Sequence, residues 1–130
     1  MKTLALYKEF PYLNIYYSDN NIIYIKIKEG QKLELQQTEE LLSNVEPLGI
    51  KGYKYLLTNA TVNHFDTCKA SLDAIALHSN WRKYFLKHAI VTKHSTLRLL
   101  AGFYVKFSNP SISTKIFDNE ENAIKWLKSK

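Results

Sequence analysis

His94 to Lys130 reads HSTLRLLAGFYVKFSNPSISTKIFDNEENAIKWLKSK, and this stretch decides the fold class. A nearly all-apolar run from about Ser95 to Phe107 predicts a helix covered on most sides, because a surface helix keeps a polar face. Pro110 cannot continue a helix, and Ser113 to Phe117 is predicted to be an edge strand. Asp118 is predicted to cap a last helix, with a Glu three residues later completing a capping box.

Upstream of this stretch, residue alternation predicts strands. Tyr12–Tyr17 and Ile22–Lys28 alternate on either side of an Asp- and Asn-rich turn, which predicts a β-hairpin. Two further segments, Tyr53–Asn59 and Leu86–Thr92, are rich in branched and aromatic side chains and are predicted to be strands.

Helical spacing of apolar residues predicts two more helices. One begins at about Leu35 and is expected to end at Pro47. The other begins near Asp66, whose carboxylate can cap the first turn. The predicted order is β-β-α-β-α-β-α-β-α, one α/β domain over residues 1–130. Its sheet is expected to be five-stranded and mostly parallel, with the N-terminal hairpin antiparallel.

Length and composition set the class of protein. The chain has 130 residues, with 45% hydrophobic and 23% charged side chains, which is typical of one globular domain. No apolar run is long enough to span a membrane, and the start of the chain lacks a signal-peptide pattern. A single cysteine, Cys68, forms no disulfide within the chain, so we expect a cytoplasmic protein.

The formal net charge of +6 is unevenly distributed. Residues 74–117 contain seven Lys or Arg and no acid. Such a segment either attracts an anionic partner or forms an ordinary solvated basic surface. No nucleic-acid-binding motif accompanies the charge, so the sequence disfavours nucleic acid as the partner.

The segment TKIFDNEENAIKWLK, together with the order of elements, resembles the SpoIIAA-like, or STAS-like, domains. More closely, Ser95 to Leu127 is similar to an uncharacterised family of small STAS/SEC14-like proteins common in Bacteroidetes. The resemblance implies a superhelix of β-α units whose strands are neighbours in chain order. It does not imply a mechanism. Our leading interpretation is a regulatory module that binds a protein partner or forms a homodimer, without a cofactor.

The resemblance also implies a modification site. SpoIIAA-like antagonists of anti-sigma factors are switched by phosphorylation of a serine at the start of the helix after the third strand. His64 to Cys68 matches that region, and Thr67 follows an Asp as that serine does, although the second Ser and the Gly after it are missing. Phosphate there would meet the positive end of the helix. The alternative is that Thr67 is an ordinary first-turn residue.

Ligands of open α/β sheets gather beyond the carboxyl ends of parallel strands, where helix N-termini supply free N–H groups. We therefore expect a phosphate or carboxylate to bind at this edge. The candidate residues are Thr58, Asn59, His64, Lys93, His94 and Ser95. The alternative is that Ser95 only caps its helix while Lys93 and His94 are solvated.

Right-handed crossovers between strands in chain order predict that all helices lie on one face of the sheet. The other face would be exposed, with Tyr24 and Leu56 on it, and would form an interface with a partner or a second copy. The alternative function is a small-molecule or lipid-binding module, with an apolar cavity under the third helix. The cavity residues would be Leu97, Leu100, Ala101 and Tyr104.

Catalytic and metal-binding motifs are missing from the sequence. His64, Asp66 and Cys68 are close in sequence, but their spacing does not enforce the contact that a Cys–His nucleophile needs. We therefore predict a non-enzymatic interaction module with no metal and no catalytic residues.

Overall fold

A six-stranded sheet lies at the centre of the computed structural model, which describes residues 4–18, 20–62, 65–77, 79–93, 102 and 112–129. The described strands, in chain order, are β1 (Leu4–Glu9), β2 (Leu13–Ser18), β3 (Ile22–Ile27), β4 (Gln31–Leu33), β5 (Tyr55–Asn59), β6 (Phe65–Thr67), β7 (Lys87–Val91) and β8 (Ser113–Phe117). The described helices are α1 (Leu35–Ile50), α2 (Lys69–Leu77), α3 (Ser79–Tyr84) and α4 (Glu120–Lys128).

The order of strands across the main sheet is β1-β2-β3-β5-β7-β8. The first three strands pair antiparallel, and β3, β5, β7 and β8 pair parallel. β4 and β6 form a separate parallel pair. The mostly parallel α/β architecture with an N-terminal hairpin is therefore confirmed, and Ser113–Phe117 is a strand with the predicted bounds.

The sheet has one strand more than predicted, because β1 pairs with β2 at the outer edge. Its sequence, LALYKE, is apolar at consecutive positions, so the alternation that marks a half-buried strand is absent. β4 and β6 are three residues each, too short to produce a periodic signal.

The predicted end of α1 at Pro47 is wrong, since the helix continues to Ile50. Proline has no N–H and its ring crowds the carbonyl four residues earlier, but its own carbonyl still accepts from the Lys51 N–H at 3.2 Å, so the last turn forms beyond it. Gly49 lies inside the helix. A Cβ built on it would lie 2.8 Å from Tyr84 Cβ and 2.9 Å from Phe85 Cζ, so the glycine allows α1 to approach α3 closely.

Two predicted helix starts are displaced. Asp66 does not cap a helix, because it belongs to β6 and the helix begins at Lys69. At α4 the capping residue is Asn119 rather than Asp118, and its side-chain oxygen accepts from the Asn122 N–H at 2.8 Å. The basic aromatic segment HSNWRKYF contains a helix that was not predicted, α3, which buries Trp81 in the core.

The predicted exposed face is wrong. Tyr24 and Leu56 are 3% and 0% exposed and belong to two apolar clusters on opposite faces of the sheet. Helices α1 and α3 contribute Leu41, Val45 and Trp81 to the cluster that contains Leu56, whereas α4 packs on the Tyr24 side. The right-handed crossover rule applies to a helix that connects two parallel strands. Because α4 follows β8 and is not such a connection, the rule does not predict on which face of the sheet it packs.

The third predicted helix, from about Ser95, falls almost entirely outside the described residues. So do its cavity residues, Leu97, Leu100, Ala101 and Tyr104. Among the described residues, no helix combines the length and apolar character needed to cross a membrane.

Candidate functional site

The last two residues of β5 belong to different environments. Thr58 Oγ1 lies 2.8 Å from Nε2 of His88 on β7. Asn59 donates from Nδ2 to Oε2 of Glu120 at 2.6 Å, and its Oδ1 accepts from the N–H and hydroxyl of Thr61. Successive side chains of a strand point to opposite faces, so Thr58 and Asn59 do not converge on one ligand.

The remaining predicted anion-binding residues are only partly described. Lys93 is exposed just beyond β7. His64, His94 and Ser95 lie outside the described residues. The amide donor of Asn59 is already bonded to an acidic side chain at the start of α4, a position that favours carboxylates because of the helix dipole.

His88 is fully buried, a position that the sequence did not mark as functional. Its ring meets the edge of Trp81, with centroids 6.3 Å apart. Burial disfavours the charged ring and lowers the pKa of His88 to about 4, so the imidazole is neutral near pH 7. Within the described part of the chain, His88 Nδ1 has no hydrogen-bond partner.

The start of α2 is attached to β4 through one carbonyl. Leu33 pairs with Thr67 in the β4–β6 ladder, and Leu33 O accepts from Thr67 Oγ1 at 2.8 Å. The same oxygen accepts from Ser71 Oγ at 3.1 Å, one turn into α2. Two hydroxyl groups therefore hold β6 and the first turn of α2 against β4.

Cys68 lies between this strand and the helix. Its Sγ is 3.3 Å from Ser71 Oγ. The Ser71 hydroxyl has one proton; when it turns from Leu33 O to Cys68 Sγ, it favours the thiolate, as the Ser71 and Ala70 N–H groups do. These hydrogen bonds lower the pKa of Cys68, although desolvation opposes them. The thiol is partly exposed.

Sequence reasoning found Thr67 but missed its partners. Thr67 is not a first-turn residue, since it ends β6 and its hydroxyl reaches back to Leu33. Ser71 is fully buried, and the only sequence signal for it is a small polar residue one turn into a predicted helix. No pattern in the sequence indicates that the carbonyl of Leu33 accepts both hydroxyls.

Metal binding finds no support among the residues that the structure describes, where no group of three or more His, Cys, Asp or Glu side chains is placed to hold an ion. The arrangement at the start of α2 provides a partly exposed hydroxyl, a thiol and an exposed carboxylate on Asp66. These groups suit modification and recognition by a partner.

Comparison with known proteins gives a family and a fold. Residues 16–130 match the model of a family described as a domain of unknown function, DUF7793. An uncharacterised DUF3478-family protein with a SpoIIAA-like fold from Shewanella loihica PV-4 is 16% identical, with a TM-score of 0.57 over 97% of this chain and 93% of that chain.

The phosphorylated form of the Bacillus cell fate determinant SpoIIAA is 12% identical, with a TM-score of 0.50 over 97% of this chain and 100% of that chain. Among curated proteins, no sequence matches this chain. The structural similarities show a SpoIIAA-like fold, which confirms the fold that the sequence resemblance implied.

Proposed function

The chain belongs to the family described as domain of unknown function DUF7793 and has a SpoIIAA-like fold, and from this premise we propose that it is a non-enzymatic regulatory module that binds a protein partner. The binding surface is the segment Phe65–Ser71, called the switch segment below. The observation that supports this proposal is the pair of hydrogen bonds from Thr67 and Ser71 to the Leu33 carbonyl.

Phosphorylation of Thr67 is the proposed switch. The hydroxyl of Thr67 donates to Leu33 O, and an esterified oxygen has no proton to donate. The phosphate would also repel the carbonyl oxygen, whereas the nearby N-terminus of α2 attracts negative charge. β6 pairs with β4 over only three residues, so the switch segment has little else to keep it on β4.

The switch segment exposes side chains that a protein partner can contact. Asp66 and Ala70 are exposed, and Thr67 and Cys68 are partly exposed. SpoIIAA, whose fold this chain shares, exists in a phosphorylated form, which supports a modification-dependent interaction here as well.

Hydrogen exchange tests the switch. Thr67→Glu is expected to increase amide exchange in β4 and β6, because the hydrogen bond to Leu33 O is lost and a charge is added. Thr67→Ser keeps the hydroxyl and is the matched control, with exchange close to that of the unmodified protein. Equal exchange in Thr67→Glu and Thr67→Ser would contradict the proposal.

A photo-crosslinking residue at Ala70, introduced into the protein in its own host, tests the partner. We expect a discrete cross-linked product that Thr67→Glu removes and Thr67→Ser retains. The same group at Lys125, an exposed residue of α4, is the control and should give no such product. A product that does not depend on residue 67 would contradict a switch at this segment.

Small-molecule binding is the second candidate function, and His88 favours it. A fully buried imidazole with one nitrogen bonded to Thr58 and the other without a described partner can hold a polar atom of a ligand. Native mass spectrometry of the protein from its own host, over a concentration series, separates the two functions. A stoichiometric adduct would support ligand binding, and a concentration-dependent dimer would support the predicted homodimer.

A further inference from the structure

Acids of the described residues are concentrated at the end of the sheet where the parallel strands finish, whereas lysines lie at both ends. Three exposed lysines, Lys51, Lys54 and Lys83, lie at the end where the parallel strands begin. Two of the most exposed large apolar residues lie at the same end: Ile50 is 63% exposed and Leu86 is 58% exposed. These five residues are called the amino-end surface.

Backbone contacts place these residues together. Leu86 N–H donates to Lys54 O at 2.8 Å, which joins the turn before β7 to the turn before β5. Gly49, next to Ile50, packs directly against Tyr84 and Phe85. The end of α1 and the end of α3 therefore present one continuous surface.

The lysines of this surface are not neutralised. None of Lys51, Lys54 and Lys83 makes a salt bridge or a side-chain hydrogen bond with a described residue. The described segments of this end, residues 48–55, 83–87 and 125–129, contain no acid, and the nearest acid of α1, Glu46, lies one turn before Ile50 and has an interaction of its own. At the other end, where the strands finish and α1, α2 and α4 begin, acids are numerous: Glu34, Glu39, Asp66, Asp118, Glu120 and Glu121.

Other lysines near the amino-end surface have structural partners, which distinguishes them. Lys87 Nζ donates to the Trp126 and Ser129 carbonyls, and Lys128 Nζ donates to Asn20 O. Among the described residues, none gives the three exposed lysines such a role. Their charge is available to an external partner.

We infer that the amino-end surface docks on an anionic lipid bilayer. Lysine is depleted in protein–protein interfaces, where aromatic residues and arginine predominate, and as a point charge it lacks the bidentate geometry that selects phosphopeptides. Aliphatic side chains surrounded by lysines are what a negatively charged membrane surface attracts, with the apolar tips entering the headgroup layer.

The geometry of the turns agrees with this partner. The N–H groups of Gly52, Tyr53 and Leu86 are all bonded within the chain, so these turns present side chains and no free N–H group to pair with an added strand. The switch segment is at the opposite end of the strands. A protein docked by its amino-end surface would therefore hold the switch segment away from the bilayer, although neither proposal requires the other.

Vesicle cosedimentation tests the inference. The probe is vesicles of phosphatidylcholine with and without phosphatidylglycerol, at equal total lipid. The unmodified protein is expected to bind only the vesicles that contain phosphatidylglycerol. Combining Lys51→Gln, Lys54→Gln and Lys83→Gln should weaken binding by about five-fold for each lysine, on the order of a hundred-fold together.

The matched control combines Lys8→Gln, Lys26→Gln and Lys93→Gln, three exposed lysines outside this surface, and removes the same charge. It should bind nearly as well as the unmodified protein. Equal losses in both triple variants would overturn the inference, because binding would then follow net charge alone. Absence of binding to the anionic vesicles would also overturn it and would leave an acidic protein as the partner of these lysines.

Ile50→Ser with Leu86→Ser keeps every charge and tests the apolar contact. We expect several-fold weaker binding; unchanged binding would contradict docking by this surface. In the unmodified protein, vesicles should slow amide exchange at residues 50–54 and 83–87 and leave the switch segment unchanged. Protection of the switch segment instead would assign lipid binding to the other end and contradict the inference.

Discussion

At the scale of single residues, Lys87 stabilises the end of α4. Its Nζ donates to Trp126 O and Ser129 O, both at 2.8 Å, and lies 5.0 Å from the centre of the Trp126 ring. Trp126 O also accepts from the N–H and the hydroxyl of Ser129, the C-cap residue, so Lys87 adds to an existing cap, and a cation there favours the helix dipole.

Lys87→Met should therefore lower the free energy of unfolding by about 1–2 kcal/mol. Urea denaturation monitored by circular dichroism measures it. Lys93→Met, which removes the same charge from an exposed position, is the control and should change stability by less than about 0.5 kcal/mol. Equal effects of the two substitutions would show that the hydrogen bonds of Lys87 contribute nothing.

His88 makes stability depend on pH. Its pKa is about 4 in the folded protein, because of burial, and about 6.5 when unfolded. Between these values the unfolded state binds more protons. The contribution of neutral His88 to the free energy of unfolding is therefore complete above about pH 6.5 and is lost as pH falls toward about 4.

Between pH 7 and pH 5, the free energy of unfolding should fall by about 2 kcal/mol more in the unmodified protein than in His88→Gln. Urea denaturation at both pH values gives the difference. The other three histidines are the same in both proteins, so their contributions cancel from the comparison. Parallel pH profiles would mean that His88 is protonated in the fold.

At the scale of elements, α1 depends on a glycine at its contact with α3. Alanine usually stabilises a helix interior relative to glycine by about 1 kcal/mol. At Gly49 the added Cβ would lie 2.8 Å from Tyr84 Cβ, an atom fixed by the backbone, so α1 would have to move.

We expect Gly49→Ala to destabilise the protein by about 1–3 kcal/mol, the range for overpacked cores. Thermal denaturation measures the change. Ser43→Ala, at an exposed position of the same helix, should alter stability by less than about 0.5 kcal/mol. A Gly49→Ala protein as stable as the unmodified one would show that α1 and α3 separate at little cost.

Elements with a strong local pattern were predictable from the sequence. The β2–β3 hairpin alternates and turns at Asn residues, and the Ser113–Phe117 strand and the helix after it follow from patterning and capping residues. The β4–β6 pair was not predictable from the sequence, because its three-residue strands are defined by contacts between distant segments. The same holds for the candidate site. Thr67 was a candidate residue in the sequence, whereas the contacts of Leu33 and Ser71 depend on the β4–β6 pairing, which the sequence did not indicate.

At the scale of the whole molecule, a charged run in the sequence does not form one charged surface. Residues 74–117 carry seven basic side chains, yet Lys83 is on the amino-end surface, Lys87 is bonded to α4, and Lys93 is at the opposite end. From the charge alone, the sequence left open an anionic partner or an ordinary solvated basic surface. The location of that charge required the fold, because successive β-α units carry neighbouring residues to opposite ends.

The strands of the main sheet stand side by side in the order in which they occur in the chain. During synthesis on the ribosome, each new strand can therefore join the free edge of strands that have already emerged, and no later segment has to be inserted between earlier ones. Assembly can proceed from β1 toward β8 at the pace of translation. The helix after β8, α4, can cover the Tyr24 side of the sheet only after β8 has been made.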